Sequence, residues 1–461
     1  MLETITPIDG SVWLTREWTS PEAVEAAVAA AAKAQDAWAE TSLDERRATL
    51  ERFCDLLEAR AETLGAELAP QMGRPVRYGF KELKSCAARA RTLCRLAPEA
   101  LARVPGDAID GFELYMERVP LGVALVIPAW NYPWMIAINA VAAALLAGNA
   151  VLLKHSSQTP LVGEAYAALL EEAGLPAGVF ANLHLPHADT ERLVADPRVS
   201  FVAFTGSVSG GRHISRAASE RFIDVGLELG GKDPAYVRAD ADVAYTVGEL
   251  VDGGFFNSGQ SCCGIERIYV HESVYAPFVE GFVQTTRGYV LGDPRDEATT
   301  LGPLAKASHA GFVRKEIEAA VAAGAQAHLS ESDFPRSAVG TAYLAPQVLT
   351  EVTHGMSVMM EETFGPVVGI MKVSDDAEAL GLMNDSPYGL TASVWTRDVD
   401  FVQSFGRKVQ TGTVFANRCD FLEPSLAWVG VKDSGRGYAL SKLGFERVTR
   451  PRSFHLKREI G

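Results

Sequence analysis

The chain has 461 residues, 48% of them hydrophobic, which is enough for more than one buried core, so two or three domains are expected. A formal charge of −15 works against nucleic acid as a partner, because phosphate binding needs concentrated Lys and Arg. Six irregularly spaced cysteines fit a reducing cytoplasm rather than a disulfide framework, and nine histidines without an H-E-x-x-H cluster point to no metal site.

Taken in order, Ser20-Pro21-Glu22 reads as the N-cap and first turn of an Ala-rich helix reaching about Trp38. Ser42-Leu43-Asp44-Glu45 has capping-box spacing, and Leu50, Phe53 and Leu57 recur on one face of the next helix. Lys81 to Leu96 reads as a further packing helix. Arg46, Arg47, Glu51 and Arg52 read as a solvated face.

Phe112 to Glu117 alternates apolar and polar residues between Pro105-Gly106 and Pro120, the pattern of a strand standing apart as a dimer-forming arm. The alternating segment Ser453 to Lys457 is a candidate partner for it. The longest apolar run, Trp134 to Leu146, is interrupted by Asn139 and too short to span a bilayer, and the N-terminus lacks a basic-then-apolar leader, so no membrane association is expected.

From Leu121 the pattern changes. Continuous apolar runs at Gly122 to Ile127, Ala150 to Lys154, Val179 to Leu185 and Ser200 to Phe204 alternate with helical stretches from Pro133, Pro160 to Ala173, Ala188 to Ala195 and Ser207 to Ala218. This predicts a doubly wound α/β domain with ligands at the C-terminal ends of its strands, where Asn131, Lys154 and Thr205-Gly206-Ser207 fall. The turn Thr205 to Gly211 opens a helix whose amides can face a phosphate, although it is not G-x-G-x-x-G. A second α/β pattern begins near Asp233, with strands at Glu266 to Val270, Val367 to Met371 and Ala392 to Trp395 and a helix at Ala310 to Ala323.

Three stretches carry chemistry. Asn257-Ser258-Gly259-Gln260-Ser261-Cys262-Cys263 offers a thiol after a Gly-containing turn, Pro128-Ala129-Trp130-Asn131-Tyr132-Pro133-Trp134 an amide, and Leu227-Glu228-Leu229-Gly230-Gly231-Lys232 a carboxylate. A nucleophile, an amide donor and a base form a set suited to covalent catalysis at a carbonyl.

These motifs, with Phe204-Thr205-Gly206-Ser207 and Glu361-Glu362-Thr363-Phe364-Gly365-Pro366, run in the order and at the spacings of the aldehyde dehydrogenase superfamily, which the chain resembles over nearly its whole length. The resemblance implies an α/β fold with a Rossmann-like cofactor domain (1–103 and 121–230), an α/β catalytic domain (231–435) and a small β oligomerisation arm (104–120 and 436–461), assembling as a homodimer or homotetramer. It implies NAD(P)-dependent oxidation of a small-molecule aldehyde to a carboxylic acid. Cys262 is the implied nucleophile, Asn131 with the Cys262 backbone N–H the oxyanion donors, and Glu228 the base that activates water against the thioacyl-enzyme.

The same resemblance assigns NAD or NADP to Pro128, Trp130, Lys154, Ser157, Gly206, Ser207, Gly211, Glu362 and Phe364. Ser157 stands where many NAD-preferring relatives carry Glu, which removes a repulsion against a 2′-phosphate. Tyr132, Met135, Asn139, Phe256, Cys263 and Trp428, with Trp134 as a further candidate, would line the substrate tunnel. Relatives that oxidise succinate semialdehyde commonly have Arg at the position of Asn139, so an uncharged or weakly polar aldehyde ranks above a carboxylated one. A succinate semialdehyde dehydrogenase-type activity, a CoA-acylating enzyme and a non-catalytic relative remain alternatives.

Overall fold

The computed structural model describes residues 1–460 and is built on two parallel sheets. The first orders its strands as Gly435–Arg436, Asp224–Glu228, Val199–Thr205, Val123–Ile127, Ala150–Leu153 and Phe180–Asn182, all parallel except the first pair. The second runs Gln326–Ala327, Gln347–Thr350, Val367–Val373, Ile265–His271, Asp233–Val237, Thr391–Trp395 and Thr413–Ala416, and only its first pair is antiparallel. Val123–Ile127 and Asp233–Val237 are buried at every position, as expected of strands covered on both faces.

The expected helices form, with Pro21–Glu40, Leu43–Ala59 and Ala307–Ala322 close to their anticipated limits. Both halves of the Ser42/Glu45 capping box are present. The Lys81 to Leu96 segment belongs to a longer helix, Val76–Ala100. The expected strand at Val179 to Leu185 contracts to Phe180–Asn182, with single further backbone hydrogen bonds at either side, Val151 N to the Val179 carbonyl and Leu183 N to the Leu153 carbonyl, each at 2.8 Å.

The arginines read as a solvated face have work inside the fold. Arg46 Nε donates to the Leu146 carbonyl at 2.9 Å and Arg52 Nε to the Ala173 carbonyl at 2.7 Å, satisfying carbonyls at the ends of the Pro133–Ala147 and Pro160–Glu172 helices. Arg47 Nε donates to the Cys94 carbonyl at 3.0 Å.

Phe112–Pro120 pairs antiparallel with Thr449–Lys457, from Phe112↔Lys457 to Pro120↔Thr449. Tyr115 stacks on Phe454 across this ribbon with ring centroids 4.7 Å apart. No helix is long and apolar enough to cross a membrane among the described residues.

A short link joins the two sheets. Asp224–Glu228 ends the neighbour of Val199–Thr205 in the first sheet, and Asp233–Val237 opens in the second after only Leu229-Gly230-Gly231-Lys232. A Cβ on Gly231 would collide with the Cys262 carbonyl oxygen, and one on Gly230 with the Glu362 carboxylate. Glycine is what lets three chain segments converge there.

Candidate active site

The nucleophile loop comes after the Val243–Phe255 helix and bends sharply, with φ of 53° at Asn257, 58° at Ser258 and 71° at Gly259. Side chains hold this unusual backbone. Asn257 Nδ2 donates to the carbonyls of Asn131 and Gln260, each at 3.1 Å. Gln260 Nε2 donates back to the Asn257 carbonyl at 3.0 Å, while its Oε1 accepts from Ala305 N at 2.8 Å. A Cβ on Gly259 would strike the Gly365 carbonyl.

Arg74 ties this loop to the amide-bearing turn. Its Nη2 donates to the Asn131 carbonyl at 2.7 Å, its Nε to Asn257 Oδ1 at 3.3 Å, and it forms a buried ion pair with Glu82. Glu82 Oε1 in turn accepts from the Trp134 backbone N–H at 2.9 Å, at the first turn of the Pro133–Ala147 helix. Sequence reading gave neither residue a role; the only signal was Gly73-Arg74-Pro75 after a short helix.

Asn131, Glu228, Cys262 and Cys263 share one cavity of about 460 Å³ with Tyr132, Met135, Asn139, Phe256 and Trp428. Asn131 is buried, and its Nδ2 spends one N–H on the Gln260 carbonyl at 3.1 Å, leaving the other without a protein acceptor. The two cysteines differ sharply. Cys263 is buried and its Sγ donates to Asp420 Oδ1 at 3.0 Å, with the hydrogen bond to Cys262 and burial holding its pKa well above the usual thiol range. Cys262 is partly open to the cavity.

Glu228 ends its strand with Thr205 Oγ1 donating to its Oε2 at 3.2 Å. Burial pushes its carboxyl up to about 7, against opposing pulls from the Thr205 hydroxyl and the Arg89 charge. Such a group changes protonation near neutrality. Asp420, which sequence reading also missed, accepts from Ser261 Oγ at 2.9 Å as well as from Cys263, and burial raises it to about 6.

Of the tunnel candidates, Trp134 stands apart. It is fully buried and stacks on Tyr166 with centroids 5.0 Å apart, so it belongs to the core and not to the cavity wall. The Arg74 guanidinium lies 4.4 Å from the centre of the Tyr132 ring and braces it.

Of the residues assigned to a dinucleotide, Lys154 and Gly206-Ser207 follow strand ends of the first sheet. Lys154 comes directly after Ala150–Leu153, is only 8% exposed, has no ion-pair partner, and burial lowers its pKa. Ser207 caps the Val208–Ala217 helix by accepting from Gly210 N at 3.1 Å, and that helix has no acidic residue in its first turn. A Cβ on Gly206 or Gly210 would meet the Phe204 ring, and one on Gly211 would meet Leu229. An exposed helix N-terminus with bare backbone, and a buried ammonium without an ion-pair partner at the end of another strand of the same sheet, fit a phosphate-bearing cofactor.

Glu362 Oε1 accepts from Gly231 N at 2.9 Å, and burial with the nearby Glu266 carboxylate raises its pKa to about 8. Phe364 has φ of 50° and packs edge-on against Trp130 at 5.8 Å. Glu266, paired with the buried Lys232, accepts from the backbone N–H groups of Thr363 and Phe364 at 2.8 Å each, fixing this turn. Pro128 lines a narrow space behind Glu228. Ser157 is exposed and opens on a separate cavity of about 690 Å³ next to Lys306 and Arg336, with its carbonyl accepting from the Thr4 hydroxyl at 3.0 Å. No group of His, Cys, Asp and Glu suited to a metal ion occurs among the described residues.

Two parallel sheets joined by a four-residue link, with a thiol, an amide and a carboxylate from three segments lining one cavity, define an α/β protein with a shared site between its chain segments. The family model of the aldehyde dehydrogenase family matches residues 1–454, and the chain belongs to that family. It is 35% identical over 446 residues to a succinate-semialdehyde dehydrogenase [NADP(+)] of Mycobacterium avium (strain 104), covering 96% of this chain and 94% of the relative. It is also 35% identical over 441 residues to betaine aldehyde dehydrogenase 1 of Rhizobium meliloti (strain 1021), covering 95% and 90%. Among solved structures it resembles succinic semialdehyde dehydrogenase from Streptococcus pyogenes in complex with NADP+, with TM-score 0.94, 28% identity, and coverage of 99% of this chain and 100% of that one.

Proposed function

We propose that this family member oxidises an aldehyde to a carboxylic acid with NAD or NADP, using Cys262 as nucleophile, Asn131 as oxyanion donor and Glu228 as the base for hydrolysis. The observation that carries the reading is the single cavity shared by these three side chains from separate segments. The Cys262 thiolate attacks the carbonyl carbon and forms a thiohemiacetal. The free N–H of the Asn131 amide and the Cys262 backbone N–H stabilise the oxyanion. When bound, the nicotinamide supplies the acceptor for the hydride lost as the thiohemiacetal becomes a thioester. Glu228, ionised, then takes a proton from water that attacks the thioester, releasing the acid and the Cys262 thiolate.

Lys154, Ser207 and the glycines of Gly206 to Gly211 would hold the adenosine and pyrophosphate, and Glu362 with Phe364 the nicotinamide end. The test is reduction of NAD and NADP, monitored by absorbance, over a panel of aldehydes. Turnover with several aldehydes supports the reading, and none with any of them ends it.

Substitutions at Asn131 and at Ser157 have defined effects. Asn131→Ala is expected to lower kcat/KM by about 100- to 1000-fold, the range for loss of one oxyanion donor. Ser157→Glu is expected to lower the NADP-to-NAD ratio of kcat/KM about tenfold or more, because a carboxylate repels a 2′-phosphate. Parallel initial rates with both cofactors measure it, and an unchanged ratio would remove Ser157 from the cofactor site.

The ribbon of Phe112–Pro120 and Thr449–Lys457 is proposed as the arm that joins two copies into a homodimer or a pair of dimers. Six unpaired thiols suit a reducing cytoplasm.

A further inference from the structure

Arg89 is the only basic residue lining the Cys262 cavity among the described residues. It projects from the Val76–Ala100 helix on the face that also presents Ser85, Ala88 and Thr92, a three- and four-residue spacing that makes one continuous wall. The side chain is buried, with 7% exposure, and no carboxylate pairs with it: Glu82 is engaged by Arg74, and Glu228 acts on it only at longer range.

Its hydrogen bonds are one-sided. Nη1 donates to Asn139 Oδ1 at 2.8 Å and to the Met135 carbonyl at 3.1 Å. Nε and Nη2 have no acceptor in the protein, and neither is sealed away as an orphaned interior atom. A buried guanidinium half clamped and half free is costly unless something supplies acceptors for the free edge. That edge presents two parallel N–H donors, a fork that matches a carboxylate.

We propose that Arg89 binds a carboxylate at the far end of the aldehyde substrate, so that the enzyme prefers aldehydes with an anionic tail. The proposal rests on the assignment of Cys262, Asn131 and Glu228 as the catalytic set. It reverses the substrate order drawn from Asn139 alone: the positive charge absent at position 139 arrives from the neighbouring helix, and Asn139 is the positioning residue that aims it. The acids in the wall do not cancel it. Asp420 is held by Ser261 and Cys263, Glu423 by the Ser425 hydroxyl and backbone N–H, and Asp252 lies within electrostatic reach of Lys81.

The test compares 4-oxobutanoate and 5-oxopentanoate with butanal and pentanal on the full-length enzyme and on Arg89→Met and Arg89→Lys. The wild type is expected to prefer the carboxylated member of each pair. Arg89→Met is expected to lose about 100-fold in kcat/KM, mostly in KM, for the carboxylated aldehydes, well beyond the loss that the neutral ones share through the Arg89 charge acting on Glu228. Arg89→Lys recovers part of the loss, since it restores charge without the fork. Equal losses on both substrate types, with the pH profile of turnover displaced, would overturn the proposal and make Arg89 an electrostatic partner of Glu228. No preference for carboxylated aldehydes in the wild type would overturn it while leaving the dehydrogenase reading intact, and no turnover of any of the four would overturn both.

Discussion

Cys262→Ala is expected to lower aldehyde oxidation by at least about 10⁴-fold, since removal of a covalent nucleophile leaves only binding and oxyanion stabilisation. The neighbouring thiol offers no substitute. Cys263 is buried, donates to Asp420, and has its pKa held well above the usual thiol range, so it is neither exposed nor ionised enough to attack. Steady-state reduction of NAD and NADP measures the loss, and mass spectrometry of enzyme quenched with an aldehyde should find the acyl adduct on the peptide of the wild type only. Retained turnover in Cys262→Ala would require a different nucleophile.

Glu228→Gln separates the two halves of the reaction. The thioester still forms, so a burst of reduced cofactor up to one equivalent per site is expected, but the subsequent steady state falls by about 100- to 10,000-fold for want of a base. The pH dependence has a definite sign. Glu228 works as the ionised form and its pKa is raised to about 7, so hydrolysis by the wild type is slow below pH 7, climbs through that value and levels off above it. In Glu228→Gln this rise should vanish. An unchanged steady state with an unchanged profile would move the base to another residue.

Much of the architecture was legible because its local signals agree with its packing. Ser42 and Glu45 form the box their spacing implies, Val123–Ile127 is buried on both faces as its unbroken apolar run implies, and Ser453 to Lys457 pairs with Phe112 to Met116. The strand that carries Glu228 escaped notice. Asp224-Val225-Gly226-Leu227-Glu228 has acidic ends and a central glycine, and it is a strand because Val199–Thr205 beside it supplies the ladder.

The chemical motifs pointed to Asn131, Glu228 and Cys262, which line one cavity, but not to Asp420 or Arg89 in its wall or to the residues that brace it. Arg74 and Glu82 carried no sequence signal of a role, and only folding brings them to the Asn131 carbonyl and the Trp134 amide. Arg89 was hidden for the same reason: helical periodicity assigns it to a face without saying what that face adjoins. Trp134 shows the opposite error, an aromatic next to the key asparagine that turns inward to Tyr166.

The contact between Gly231 and the Cys262 carbonyl restricts how such a protein can diversify. A methyl group at position 231 would shift the peptide that bears the Cys262 sulfur, and Glu228 immediately precedes the same link, so a change at one of the two proposed reacting groups is felt at the other. The wall bearing Ser85, Ala88, Arg89 and Thr92 hangs on a helix that shares no backbone with that junction. New substrate ranges are therefore most accessible to selection through that helix, and a mutant library confined to Ser85, Ala88 and Thr92 should change which aldehydes are consumed while the rate of the chemical steps holds steady.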